Sequence, residues 1–211
     1  MAISNVTICN LALQKLGQSR IIALDDDNSN ARHCNVCFEP LRDRELRAAL
    51  WKFALKRATL AASATAPDFT YAYAFPLPTG CLRVLLPPRL GLDWKIESHE
   101  GAPAILTNDG TALEIRYVAQ ITDPVQFDPI FVEMLACKIA WHLCEVITQS
   151  NTKKQALNAE YLELKKEAKR LNATERTPDA EPLDGWIAAR QQGSIYATDR
   201  GWMVGTGGSE Y

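Results

Sequence analysis

Three short stretches carry residue types whose spacing can do chemistry. HCNVC at 33–37 sets Cys34 and Cys37 three apart beside His33, the spacing with which many tetrahedral zinc sites begin. Such a site needs a second ligand pair. The chain has no second CxxC, and Cys137, His142 and Cys144 would reach the first pair only through the tertiary fold. The preferred reading is one helical turn with two small buried thiols, and a thioredoxin-like redox role lacks its surrounding βαβ pattern. DDDN at 25–28 offers carboxylates to a divalent cation, but the glycine and terminal glutamate of a calcium loop are missing at their offsets. Helix capping by Asn28 or Ser29, with Asp26 and Asp27 at the positive end of a helix dipole, accounts for the run more simply. The third stretch is WKFALKRATL at 51–60, which interleaves Trp51 and Phe53 with Lys52, Lys56 and Arg57. It reads either as a basic, aromatic platform for nucleic acid or as the point where a helix hands its core over to a strand.

His99 falls in an expected turn and His142 on a helix stripe, and neither has a serine or cysteine in a context that activates a nucleophile. GxSxG, a Walker loop, GxGxxG before a helix and HExxH do not occur. No catalytic residue, metal ligand or cofactor is therefore expected, and the chain reads as a non-enzyme.

Elements must position these residues, and composition bounds what those elements can build. A chain of 211 residues with 47% hydrophobic and 23% charged residues can bury a core, as one domain with elaborations. A net charge of -2 gives the whole no electrostatic reason to condense on DNA or an acidic membrane. The opening MAISNVTICNLALQKLG has no basic leader or unbroken apolar run, so the expected location is a cytoplasm or something assembled there, without membrane insertion. Most of the six cysteines read as reduced core residues.

Val6, Cys9, Leu13 and Leu16 share one helical face before Gly17, which predicts a first helix over about 3–17. A second should run over 28–50, kinked or interrupted at Pro40. In WKFALKRATLAA the alternation favours a strand with Trp51, Phe53 and Leu55 on one face and Lys52 and Lys56 on the other. Four or five further short strands follow, with Thr79-Gly80 and Asp109-Gly110 as turns and Pro76, Pro78, Pro87 and Pro88 confining strands to edges and ends. FVEMLACKIAWHLCEVITQ, from about Pro129, is a helix apolar around most of its circumference, with a polar stripe of Lys138, His142, Glu145 and Gln149. A charged helix over about 153–171 carries one seam of Leu157, Tyr161, Leu164, Ala168 and Leu171, and shields the previous one as an antiparallel hairpin. The remaining residues are Gly-rich and polar, yet carry Trp186, Tyr196, Trp202 and Tyr211, the pattern of an arm anchored on a partner by spaced aromatics. The expected fold is thus α+β: a mainly α-helical bundle of about four helices (1–50 and 128–172), a β-rich insertion between its second and third helices (51–127), and an extended C-terminal arm (173–211).

CNLALQKLGQSRIIALDDD, the helix from ARHC to LRDRELR, WKFALKRATLA, and DFTYAYAFPLPTGCLRVL occur in that order over about residues 5–170. In combination they resemble the tail tubular protein A, or head-to-tail adaptor, family of short-tailed bacteriophages. The resemblance implies a structural virion protein without enzymatic activity, located at the head-tail junction of the virion and assembled in the host cytoplasm. It implies self-association into a ring, dodecameric in that family, which joins the portal protein to the tail nozzle or tail-fibre or tailspike parts. Genomic double-stranded DNA passes through such a ring without sequence-specific binding. Under this resemblance Lys52, Lys56, Arg57, Lys138, His142 and Glu145 are candidates for subunit contact. Trp186, Tyr196, Trp202 and Tyr211 of the arm are candidates for contact with the portal or a neighbouring subunit, and Trp51 and Phe53 are structural anchors. The alternative, a cytoplasmic nucleic-acid-binding module using Arg42, Arg47, Lys52, Lys56 and Arg57, requires exposed aromatics beside those cations on one face.

Overall fold

The computed structural model describes residues 3–85 and 93–174. Trp186, Tyr196, Trp202 and Tyr211, and with them the expected arm, lie outside the described residues, as do Pro87 and Pro88. Among the described residues the chain is mixed α+β, with four helices and two small antiparallel sheets. The helices are α1 (Asn5–Leu16), α2 (Ser29–Ala48), α3 (Pro129–Thr148) and α4 (Asn151–Thr174); six strands fall between α2 and α3.

Helix α1 starts where the Ser4 hydroxyl accepts the Thr7 N–H at 3.1 Å. It ends at Gly17, whose φ of 73° lets its N–H return to the Gln14 carbonyl at 3.0 Å while the Gln18 N–H reaches Leu13 at 2.9 Å. This paired closure is a Schellman motif, for which only glycine avoids the left-handed penalty. The Lys153 ammonium, at the start of α4, donates to the Leu16 carbonyl at 2.9 Å, where the helix dipole is negative. Gly17→Ala should lower stability by about 1–2 kcal/mol, read as a shift in denaturation midpoint. The nearest atom to an added Cβ is Lys153 Nζ at 4.0 Å, so backbone strain rather than a clash is the cause. Past the cap, Asn10 holds the chain against α1: its amide donates to the Ile21 carbonyl at 2.9 Å and accepts the Ile21 N–H at 2.8 Å.

Helix α2 is capped by Asn28, whose side chain accepts the Ala31 N–H at 2.8 Å. It runs unbroken through Pro40, so of the expected kink or interruption the interruption does not occur. Pro40 and Val36, one turn before it, both lie on the exposed face of the helix, so the missing donor falls on the side away from the core. Helix α3 opens with Pro129 in its first turn behind an Asp128 cap. It packs against α1, α2 and α4, which is why it is buried around so much of its circumference. Helix α4 returns antiparallel to it: the Cys137 thiol meets the Leu157 carbonyl at 3.4 Å, and Cys144 lies against Ser150 at the tight connection.

Strands β1 (Leu55–Leu60), β6 (Leu113–Ala119) and β3 (Cys81–Val84) form one sheet in the order β1-β6-β3. The second, in the order β2-β5-β4, comprises β2 (Tyr73–Pro76), β5 (Ala102–Thr107) and β4 (Trp94–His99). Pro76 ends the edge strand β2, where a missing donor is harmless. His99, expected in a turn, is instead the last residue of β4, paired with Ala102. The turn itself is Glu100-Gly101, with φ of 51° and 80°, a two-residue hairpin with both central residues left-handed. Leu113, Ile115 and Tyr117 of β6 join Phe75 and Ile105 of the second sheet and the apolar faces of all four helices in one continuous core. A small satellite cluster, Tyr71, Ala74, Ala104 and Leu106, occupies the other face of the second sheet.

Candidate functional site

The stretch WKFALKR lies at the joint between the helical and sheet regions. Its strand begins at Leu55, not at Trp51 as the alternation suggested. Residues 52–54 form one turn of 3-10 helix, with the Ala54 N–H donating to the Trp51 carbonyl at 3.0 Å. The tertiary reason is an aromatic cluster. Trp51 and Phe53 both meet Phe131 of α3 at centroid distances of 5.1 Å, and Phe53 meets Phe127 at 5.7 Å. Trp51 is buried, Phe53 half-buried, and their edge-on contacts are the favoured aromatic geometry.

Two polar contacts hold this joint. The Trp51 indole N–H donates to the Glu45 carbonyl at 2.8 Å. Asn172, in the last turn of α4, donates to the Leu50 carbonyl at 2.8 Å and accepts the Lys52 N–H at 3.0 Å, clasping the backbone on both sides of Trp51.

Beneath the joint lies a buried ionic cluster. The Glu45 carboxylate accepts the Tyr161 hydroxyl and the Lys165 ammonium, both at 2.8 Å, and Lys165 also donates to the Tyr161 oxygen at 2.6 Å. The Lys138 ammonium stands over the rings of Trp141 and Tyr161 at 4.0 and 4.5 Å. Burial pulls the Lys138 ammonium below its ordinary range, against the attraction of Glu45. Burial pulls on Lys165 too, but its hydrogen bonds to Glu45 and Tyr161 outweigh it and the net shift is upward. Burial pushes the Tyr161 phenol up.

The expected polar stripe on α3 is therefore divided. His142 and Glu145 are exposed, and Glu145 pairs with Lys154 of α4. Lys138 is buried by α2 and α4 and is turned inward, so it is withdrawn as a surface contact. Lys56 and Arg57 are exposed on β1, and Lys52 is half-buried. Arg42 is also withdrawn from any phosphate-binding face: it is buried, its Nε donating to Asp43 at 2.8 Å. Arg47 is exposed, and its guanidinium donates to the Leu82 carbonyl, tying α2 to β3.

Cys34 and Cys37 occupy one turn of α2, buried, with the Cys37 thiol donating to the Cys34 carbonyl at 3.6 Å. Among the described residues no group of three or more His, Cys, Asp or Glu side chains is placed to hold a metal ion. The acidic run closes its own loop. Asp26 accepts the Ile22 and Ala23 N–H groups at 2.8 and 3.0 Å, which hold its carboxyl below the usual range, while Asp27 pairs with Arg32. Among the described residues no helix is long and apolar enough to cross a membrane.

The buried thiols set an alkaline limit. Burial pushes Cys37 and Cys137 up to about 12, while the hydrogen bond between Cys9 and Cys34 pushes Cys9 up and Cys34 down, two opposed shifts within one pair. Unfolded thiols ionise near 9.0, whereas Cys37 and Cys137 stay protonated in the fold. Above that pH the folded state binds more protons, so stability present below it is lost as pH rises. Tyr161 and Lys165, both raised, add to the loss above 10.0 and 10.5, and Lys138, lowered, opposes it in part. The thermal midpoint should fall progressively above about pH 9. A Cys37→Ala, Cys137→Ala double variant should flatten that slope in the same titration.

Glu45, Tyr161, Lys165 and Asn172 were not singled out by their types or spacing as partners of the joint. For Glu45 a signal existed: it follows Phe38 and Leu41 on the apolar face of α2, an acid where the helical period calls for a core residue. A scan against protein-family models finds no match, and a search of curated proteins finds none.

Proposed function

We propose that the chain is a structural virion protein, a head-to-tail adaptor that assembles with other copies into a ring between portal and tail. The observation that carries this reading is the placement of the motifs behind the family resemblance. LG is the closing cap of α1, WKFALKR is the joint, and YAYAFPLP with CLRV supplies β2 and β3. Their order, helix, helix, strands, helix, helix, is the order that a helical bundle with a β-rich insertion requires. A fixed joint keeps insertion and helices in one orientation, which a repeating assembly needs. On this reading the ring is dodecameric, DNA passes through it, and the tail nozzle or tail-fibre parts lie below. His142, Glu145, Lys52, Lys56 and Arg57 remain contact candidates, and Trp186, Tyr196, Trp202 and Tyr211 engage the portal or a neighbour.

Light scattering on a chromatographed mixture with the cognate portal tests the reading: a ring-sized complex is expected. A chain that binds no portal and is missing from imaged tails is not an adaptor. A monomer in isolation is compatible with the proposal, because the portal can template the ring.

One observation favours the nucleic-acid reading. Lys56 and Arg57 are both exposed on β1, within reach of a phosphate backbone. That reading expects salt-sensitive retardation of free DNA, weakened by Lys56→Ala and Arg57→Ala. Absence of retardation at low salt would end it.

A further inference from the structure

Helices α3 and α4 are joined by two residues, Gln149 and Ser150, in the stretch ITQSNT, which holds neither glycine nor proline. Closing so short a hairpin puts Gln149 at φ 50° and ψ 26°, in the left-handed region. Gly17 meets the same demand at the end of α1 without strain, but a residue with a Cβ does not. Against the strain stand the bonds that start α4. The Ser150 hydroxyl accepts the Lys153 N–H at 3.3 Å, and the Ser150 carbonyl accepts the Lys154 N–H at 3.0 Å. The carbonyl bond is an ordinary helical one and survives straightening, so the hydroxyl cap is what a straight connection gives up. With Gln149 right-handed, α3 and α4 become one helix over 129–174, about 70 Å long.

Helix α4 is also lightly fastened. Among its described residues only Leu157, Tyr161 and Ala168 are buried, in a helix of 24 residues, against eleven in the 20 residues of α3. Small apolar burial makes release easy. Polar contacts make the place it leaves specific. Glu160, Lys165 and Lys154 of α4 pair with Lys15, Glu45 and Glu145, each on a different helix. Only a helix with those three charges at that spacing satisfies all three partners.

We propose that two copies of this chain exchange α4, each laying it on the α1, α2 and α3 surface of the other. The surface is the one α4 already covers, and the occupant is the helix seen to fit it. Every contact of α4 is remade between copies. The closed and exchanged forms differ at the connection, where the strain is relieved and the Ser150 cap lost, and in the entropy of association. Protein concentration therefore decides between them. Two copies suffice, so the exchange stands apart from the ring reading above.

Full-length chain held at millimolar concentration and then diluted should show a slowly dissociating dimer by light scattering. Glu145→Cys and Lys154→Cys chains, mixed at that concentration and treated with diamide, should give a covalent heterodimer that neither variant nor the parent forms alone. A chain carrying both substitutions, oxidised while dilute, closes the bond within itself and should then stay monomeric on concentration. Gln149→Gly removes the strain at both connections and weakens the straight helix, so it should raise the dimer dissociation constant about tenfold or more. The proposal is overturned if no dimer forms at millimolar concentration, if the mixed variants do not cross-link, if the oxidised double variant still dimerises, or if Gln149→Gly dimerises like the parent. Portal is absent throughout, so failure here leaves the adaptor reading standing, and failure of portal binding leaves the exchange standing.

Discussion

Trp51→Ala should lower the unfolding free energy by about 3–5 kcal/mol, measured as a fall in denaturant midpoint. Removing the indole deletes ring contacts with Phe131 at 5.1 Å and Phe53 at 6.2 Å. Phe131 belongs to a helix packed on three sides, so the space cannot close by a small shift, and the cavity adds to the lost transfer energy. The Glu45 carbonyl also loses its donor. Trp51→Phe separates the two effects, because it keeps an edge-on ring while removing the N–H, and should cost about 1–2 kcal/mol. A Trp51→Ala chain of parental stability that had lost affinity for DNA would instead restore the reading of this stretch as a platform.

How far the sequence reached can be judged at this same joint. The four helices and the mixed α+β class were legible, because apolar residues recur at 3.6-residue spacing over long segments and the caps at Gly17 and Asn28 are chemically distinct. The conformation of residues 51–54 was not. Trp51, Phe53 and Leu55 alternate as a strand would, yet the turn there answers to Phe131 and to Asn172, residues some 80 and 120 positions downstream. Local alternation carries no information about such partners. Lys138 shows the same gap: with His142 and Glu145 it forms a stripe on α3, and only the approach of Tyr161 from α4 decides that one member of the stripe is covered. For Pro40, of the expected kink or interruption only the interruption is overturned, since α2 continues through it with Pro40 and Val36 on the exposed face. The helical turn of HCNVC and the Asn28 cap of DDDN were legible as local structure, whereas the turn of Asp26 back onto the Ile22 and Ala23 N–H groups was not.

Glu45→Ala should cost about 3–5 kcal/mol, toward the lower end because Lys165 keeps 21% of its side chain in water. The loss is not the strength of one ion pair. The Glu45 side chain is only 2% exposed, and it is the anion toward which Lys165, the Tyr161 hydroxyl and Lys138 are all arranged. Without it two ammonium groups share a partly buried site with no counter-charge, and the Tyr161 hydroxyl loses its acceptor. Burial, which already holds Lys138 down, would then dominate at Lys165 as well, and the upward shift of Lys165 would be lost. The pH dependence follows with its sign. In the parent, Lys165 binds its proton more tightly when folded, so its contribution is present below 10.5 and disappears above. In the variant both lysines bind protons more weakly when folded, so stability should rise with pH as it approaches 10.5 and the parent's alkaline fall should be blunted. A further comparison separates charge from packing. Replacing Glu45, Lys138 and Lys165 together by methionine removes the charges of this cluster while keeping side-chain volume, and should recover much of the loss. If the single variant lost less than about 1 kcal/mol, Glu45 would be no more than a solvated surface pair, and the three helices would have to be held in register by apolar packing alone.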